Sequence, residues 1–180
     1  PGAPSGVKSL VDGLPDGGGG DPTGPIPPSI KGLDTTGAKK TERIERRSYP
    51  TPWSRAIFAG ELTKSSSVCL RAYDSESNAL VAYLIISRYV DAWHVMNVAV
   101  APDYRGRGIA TNLLERLFEL TAGDGRRGYT LEVRVSNASA IRLYEKLGFK
   151  ARGIRRGYYT DNREDALIMW KDPVREAASA

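Results

Sequence analysis

The chain has 180 residues, of which 41% are hydrophobic, and carries a formal charge of +5. That composition supports one ordinary globular core, and no stretch reaches the ~18 consecutive apolar residues of a membrane-spanning helix. A single cysteine, Cys69, excludes an internal disulfide framework, and with a single histidine, His94, it argues against a side-chain zinc cluster.

Residues 1–28 contain fifteen Gly or Pro, and Lys8 against Asp12, Asp16 and Asp21 gives them a net charge of −2, leaving +7 for the remainder. So little apolar surface cannot offset the entropy of ordering, and a flexible tail or linker is expected there. No basic-then-apolar leader opens the sequence, and the cysteine usage fits a reducing, cytoplasmic setting. A domain over 29–173 follows, then a short tail over 174–180. Ile30 and Leu33 mark a weak first strand. Residues 35–47 read as a helix, broken by Pro50 and Pro52, and Ser54 is placed to cap a second helix to about Leu62. Strands are expected at Val68–Tyr73, Ala79–Ser87 and Trp93–Val100. Ile109, Leu113, Leu117 and Leu120, widened by Leu114 and Phe118, form the strongest helical stripe. Tyr129–Val135 alternates as a strand. Asn137 caps a helix that stops at Gly148. Lys150–Tyr159 and Arg163–Trp170 close the chain as an antiparallel pair. The order β-α-α-β-β-β-α-β-α-β-β predicts a mixed α/β sandwich rather than a regular βαβ repeat.

Arg105-Gly106-Arg107-Gly108-Ile109-Ala110 lies between a strand and the start of the long helix. Glycines allow a tight turn and a close ligand approach, and the first helical amides are unpaired donors at the positive end of the dipole. Together they suit a pyrophosphate. By itself this hexapeptide is equally a basic loop before an amphipathic helix. The spacings of a dinucleotide fingerprint and of a Walker loop are both absent.

The wider segment Asn97-Val98-Ala99-Val100-Ala101-Pro102-Asp103-Tyr104, continuing through Ala110, resembles the acetyl-CoA signature of the GNAT superfamily of N-acetyltransferases. Arg105, Gly108 and Ala110 match that family's turn. The resemblance implies a mixed, mainly antiparallel sheet flanked by helices. It also implies that the amides of Gly106, Arg107, Gly108, Ile109, Ala110 and Thr111 hold the pyrophosphate, and that the edge at Val98, Ala99 and Val100 pairs with pantetheine.

Three further segments narrow the likeness: Leu131-Glu132-Val133-Arg134-Val135-Ser136-Asn137, Leu143-Tyr144-Glu145-Lys146-Leu147-Gly148-Phe149 and Arg155-Arg156-Gly157-Tyr158-Tyr159. With Arg163–Met169 and Ile44–Ser54 they resemble the RimI-type ribosomal-protein alanine N-acetyltransferases. The resemblance implies acetyl-CoA as co-substrate, no metal, and a protein or peptide N-terminus as partner. Glu132 carries over as general base, through water, Tyr144 as acid towards the leaving thiolate, and Asn137 as a pantetheine contact. On the residues alone, Tyr144 is also explained as a core residue and Asn137 as a cap.

An α-amine with a pKa of about 7.7–8 asks less of a base than a lysine at about 10.4. Tyr49, Pro52 and Trp53 could form one wall of an acceptor groove and Tyr158 and Tyr159 the other, though loop aromatics also serve simply to cover a sheet. Glu164 and Asp165 either attract a cationic N-terminus or balance nearby arginines. Cys69 reads as a small core residue, and no spacing links it to His94. Three alternatives stay open: transfer to lysine or a small amine, an acetyl-CoA-binding module without turnover, and a basic nucleic-acid binder.

Overall fold

A computed structural model of the protein describes residues 7–11, 35–64, 66–74, 76–88, 91–123 and 127–173. Strands β1 (Val7–Val11), β2 (Ser67–Asp74), β3 (Leu80–Arg88), β4 (Trp93–Val100), β5 (Tyr129–Arg134), β6 (Lys150–Arg155) and β7 (Ala166–Lys171) form one sheet in the order β1-β2-β3-β4-β5-β7-β6. Only β4 and β5 run parallel; every other neighbouring pair is antiparallel. Helices α1 (Thr35–Ser48) and α2 (Arg55–Leu62) precede β2, α3 (Ile109–Leu120) links β4 to β5, and α4 (Ala138–Lys146) follows β5.

The sheet separates two cores. β3 is covered on both faces, with Tyr83, Leu84, Ile85 and Ile86 all fully buried. On one side Leu84 and Ile86 meet the apolar stripe of α3 (Ile109, Leu113, Leu114, Leu117, Phe118), joined from α4 by Tyr144. On the other, Tyr83 and Ile85 pack with Ile44 of α1, Phe58 and Leu62 of α2, and Cys69. Two caps work through side chains as the sequence predicts. Ser54 accepts from the Ile57 amide at the start of α2, and Asn137 accepts from the Ala140 amide at the start of α4.

The structure departs from the sequence reading at both ends. The edge strand β1 lies inside the stretch expected to be a tail, while Ile30 and Leu33, expected in the first strand, lie outside the described residues. Residues 7–11 form an island free of Gly and Pro, so their backbone can extend the sheet through main-chain pairing alone. At the other end β6 stops at Arg155 and β7 begins only at Ala166. Tyr159 and Arg163 therefore fall in a long connection, bent by the left-handed Arg163 (φ 61°) and tied back where the Gly157 amide donates to Asp165 at 2.8 Å. Val135, expected on the apolar face of its strand, lies beyond β5 and is exposed.

Leu113 lies in the α3 stripe at a fully buried position, so Leu113→Ala is expected to destabilise the fold by about 2–5 kcal/mol. Denaturant unfolding of the two proteins measures this, and a change below about 1 kcal/mol would contradict the packing described.

Candidate active site

The site begins with a fault in the sheet. β4 meets β5 at only two register positions, Trp93↔Tyr129 and His94↔Thr130, and beyond them the strands part. On its other edge β4 stays paired with β3 to Val100, through a bulge that sets Ile85 against Asn97 and Ile86 against Val95. The extra residue bends β4 away from β5. The β5-facing edge from Val95 onward, including Val98, Ala99 and Val100, thus lines a cleft rather than a ladder. Backbone groups released from a ladder require another partner; here Val98 O accepts from the Tyr49 hydroxyl and Val100 O from Arg105.

β4 leads through a single 3₁₀ turn, Pro102–Tyr104, into the glycine turn. Gly106 (φ 74°) and Gly108 (φ 76°) both adopt the left-handed conformation, and a side chain built on either would meet open space. Their requirement is conformational: no crowding forces glycine there, and the space above them is clear for a ligand. The ladder of α3 begins where the Asn112 amide donates to Gly108 O at 3.0 Å. The amides of Ile109, Ala110 and Thr111 precede that bond at the positive end of the helix. Arg105 is anchored on Val100 O (3.1 Å) and Ser48 Oγ (3.2 Å), and Arg107 donates to Asp103 O (3.2 Å) with its guanidinium 4.8 Å from the Tyr104 ring centre. Tyr104 in turn donates to Asp74 (2.8 Å). The Ser77 amide, the Tyr104 hydroxyl and the Glu76 amide hold the Asp74 carboxyl down to about 2, so this brace is ionised at neutral pH.

At the point where β4 and β5 part, Glu132 of β5 meets His94 of β4, Nε2 to Oε2 at 2.6 Å, with Arg155 3.6 Å from the other carboxylate oxygen. The His94 hydrogen bond, aided by the charge of Arg155, holds Glu132 below the ordinary carboxylate range against the opposing effect of burial. Sequence reading missed His94. The contact spans 38 residues and depends on the β4–β5 register, so no local spacing could have revealed it.

Tyr144 projects from α4 into the core beside Phe149, with ring centres 5.7 Å apart. Burial, with a contribution from Tyr159, pushes its hydroxyl up to about 12. Tyr159 is likewise pushed up to about 12, mainly by burial, and it also feels Glu132. Burial raises Tyr49 as well, and both Tyr144 and Tyr159 add to that effect. Tyr49, Tyr144 and Tyr159, all singled out in the sequence, are therefore electrostatic neighbours, and Tyr159 links them to Glu132.

The remaining candidates are placed less uniformly. Tyr49 donates to Val98 O, and Trp53 packs against Phe58 (5.3 Å). Below them Glu45, almost fully buried, accepts from the Trp53 amide (2.9 Å), Asn97 Nδ2 (3.1 Å) and the Tyr83 hydroxyl, fixing the α1–α2 connection to β3 and β4. Pro52 is exposed at the tip of that connection. Tyr158 is 44% exposed and stands edge-on to Tyr159. Asn137 spends its carbonyl oxygen on capping α4, also receiving Ser139 Oγ at 3.2 Å. Glu164 and Asp165 balance arginines: Glu164 is 3.1 Å from Arg134, and Asp165 is 2.9 Å from Arg156. Cys69 is fully buried, away from this chemistry. Among the described residues no group of three metal-ligating side chains occurs, and no helix is long and apolar enough to cross a membrane.

Comparison with known proteins places this geometry. The acetyltransferase (GNAT) family matches residues 38–149. The chain is similar to the [ribosomal protein bS18]-alanine N-acetyltransferase of Escherichia coli K12, with 39% identity over 143 residues, covering 78% of this chain and 95% of the relative. The crystal structure of the ribosomal-protein-S18-alanine N-acetyltransferase from Escherichia coli superposes with a TM-score of 0.71 at 36% identity, over 82% of this chain and 95% of that one. A solved Arabidopsis thaliana protein, NAA60 in complex with acetyl-CoA, shares the fold at 22% identity (TM-score 0.67, over 76% and 93% of the two chains).

The His94–Glu132 contact makes a measurable prediction. His94→Phe removes the largest influence holding the Glu132 carboxyl down and leaves the upward effect of burial, so its pKa rises. A carboxyl-carbon NMR titration of the two proteins reads the change, and an unmoved Glu132 would show that the contact has no electrostatic weight.

Proposed function

Because the chain belongs to the GNAT acetyltransferase family, we propose that it transfers the acetyl group of acetyl-CoA directly to the α-amine of a protein or peptide N-terminus, and that its acceptor is the terminal alanine of a ribosomal protein. The observation that carries the reading is the cleft between β4 and β5, with an ionised Glu132 at its fork and the glycine turn at its end. Identity to the Escherichia coli relative along nearly all of that protein's length supports the acceptor.

In this proposal the backbone edge at Val98, Ala99 and Val100 holds the pantetheine arm as an added strand would. The amides of residues 106–111, with Arg105 and Arg107, hold the pyrophosphate. Asn137, beside the start of α4, contacts the arm. Tyr49, Pro52 and Trp53 face Tyr158 and Tyr159 across the acceptor chain. No metal takes part, and the setting is cytoplasmic.

Glu132 removes the proton from the attacking amine through a water. The strength of this base matters to the choice of acceptor. Held low by His94 and Arg155, Glu132 is a carboxylate at neutral pH but has little driving force to deprotonate a strongly basic amine. An α-amine with a pKa of about 7.7–8 is already partly neutral, whereas a lysine at about 10.4 is not. The depressed base thus favours N-termini. Tyr144, protonated at all physiological pH values because burial holds its hydroxyl near 12, gives its proton to the departing thiolate. Acid–base help of this kind is worth about 10²–10⁴-fold, with positioning of both substrates supplying much of the remainder.

The test is to mix the protein with acetyl-CoA and peptides with free N-termini, including Ala-Arg starts, and to follow thiol release and product mass. Acetylation mapped to the α-amine is expected. Product on lysine alone would replace the acceptor, and tight acetyl-CoA binding without product would leave a binding module. Tyr144→Phe is expected to lower turnover by at least about 10²-fold with little change in acetyl-CoA affinity; normal turnover would remove Tyr144 from the reaction. Gly108→Ala, which forces a side chain into the left-handed region at a cost of about 1–2 kcal/mol, should weaken acetyl-CoA while sparing the rate at saturation. Isothermal titration calorimetry measures that loss.

A further inference from the structure

We propose that Arg134 is a positioning residue for the acceptor, clamping the connection between β6 and β7 so that Tyr159 is held against the reacting groups. This rests on the acetyltransferase reading above. Arg134 ends β5 two residues beyond Glu132, on the same face of the strand. One guanidinium nitrogen contacts both carboxylate oxygens of Asp161, at 3.0 and 2.9 Å. Another donates to Asn162 Oδ1 and Glu164 Oε2, each at 3.1 Å. The same group lies over the Tyr159 ring, 3.9 Å from its centre.

The clamp is closed from the other side as well. The second oxygen of Glu164 accepts from the Ser136 amide at 2.9 Å, just after β5. The Tyr159 amide donates to Glu164 O, and the Arg163 amide to Tyr159 O. Tyr159 thus sits inside a loop folded back on itself, with Arg134 as its lid. The sheet does not depend on that lid, since β7 is held by an uninterrupted ladder to β5 and by a second, bulged ladder to β6. Loss of Arg134 leaves Asp161 and Glu164 without the charge between them and frees the Tyr159 ring, while the β5–β7–β6 ladders persist. The effect belongs to the acceptor wall.

Lysine cannot substitute fully. The planar guanidinium reaches Asp161 and Glu164 from separate nitrogens and still stacks on an aromatic face; an ammonium is a point charge on a flexible stem. The expected ranking of acceptor binding is therefore wild type, then Arg134→Lys, then Arg134→Gln.

The experiment is steady-state kinetics on the full chain with an Ala-Arg peptide and acetyl-CoA varied independently. Arg134→Gln should raise the peptide KM by roughly tenfold, the loss expected for one charge-assisted anchor, with kcat and the acetyl-CoA KM changed by less than about threefold. A double-mutant cycle with Tyr159→Ala asks whether Arg134 acts through Tyr159: in that background Arg134→Gln should add little. An unchanged peptide KM, an equal rise in both backgrounds, or a loss shared equally with acetyl-CoA would each overturn the proposal. Failure of the wild-type protein to acetylate any peptide would instead bring down the transferase reading, and this inference with it.

Discussion

Every functional feature described depends on β4 and β5 parting after two residues. Parallel pairing is slightly weaker per residue than antiparallel pairing, and the bulge opposite Ile85 and Ile86 turns β4 while β5 continues straight into its ladder with β7. The result is an interior sheet edge. Edges usually sit at the margin of a sheet, where proteins cover or blunt them. Here one lies in the middle of the molecule, with α3 beginning at one end of it and the His94–Glu132 contact at the other. In the function proposed, the opened sheet is where the pantetheine arm pairs. The same opening puts a carboxylate at the fork, where burial acts on it in one direction and the His94 hydrogen bond with Arg155 in the other.

The α1–α2 side of the sheet solves a different problem. A carboxylate as deeply buried as Glu45 is costly unless its oxygens are satisfied. The donors come from three separate elements: a connection amide, a β3 hydroxyl and a β4 amide side chain. The connection bearing Tyr49 and Trp53 is therefore pinned from beneath, and Tyr49 is pinned again on Val98 O. The two connections proposed as acceptor walls are thus both held by polar anchoring, through Glu45 under one and Arg134 over the other.

Much of this was legible in the residues, and the limit has a physical form. Features carried by neighbouring residues could be read: the α3 stripe, the Ser54 and Asn137 caps, the alternation of β5, and the two glycines before Ile109. Features made by tertiary register could not. His94 and Glu132 are 38 residues apart, Glu45 and Asn97 are 52 apart, and Arg134 reaches its carboxylates across 27 to 30. Each of these side chains occupies an unremarkable polar position in its own element. Only the strand order brings them together. The β1 strand escaped for another reason: an edge strand needs only a free backbone, and side-chain patterning carries little signal for that.

Cys69 acquires an unexpected use from its position. It is the single thiol in the chain, and it lies fully buried on β2 beneath α2, within the core that supports the Tyr49–Trp53 connection. A thiolate must reach solvent before it can be alkylated, so the folded protein protects this sulfur, and the rate at which a reagent captures it counts the excursions in which the core around it opens. The molecule thereby contains its own reporter of breathing under one wall of the cleft. Slower capture in the presence of a bound peptide would express acceptor binding as a change in opening frequency, with no label attached.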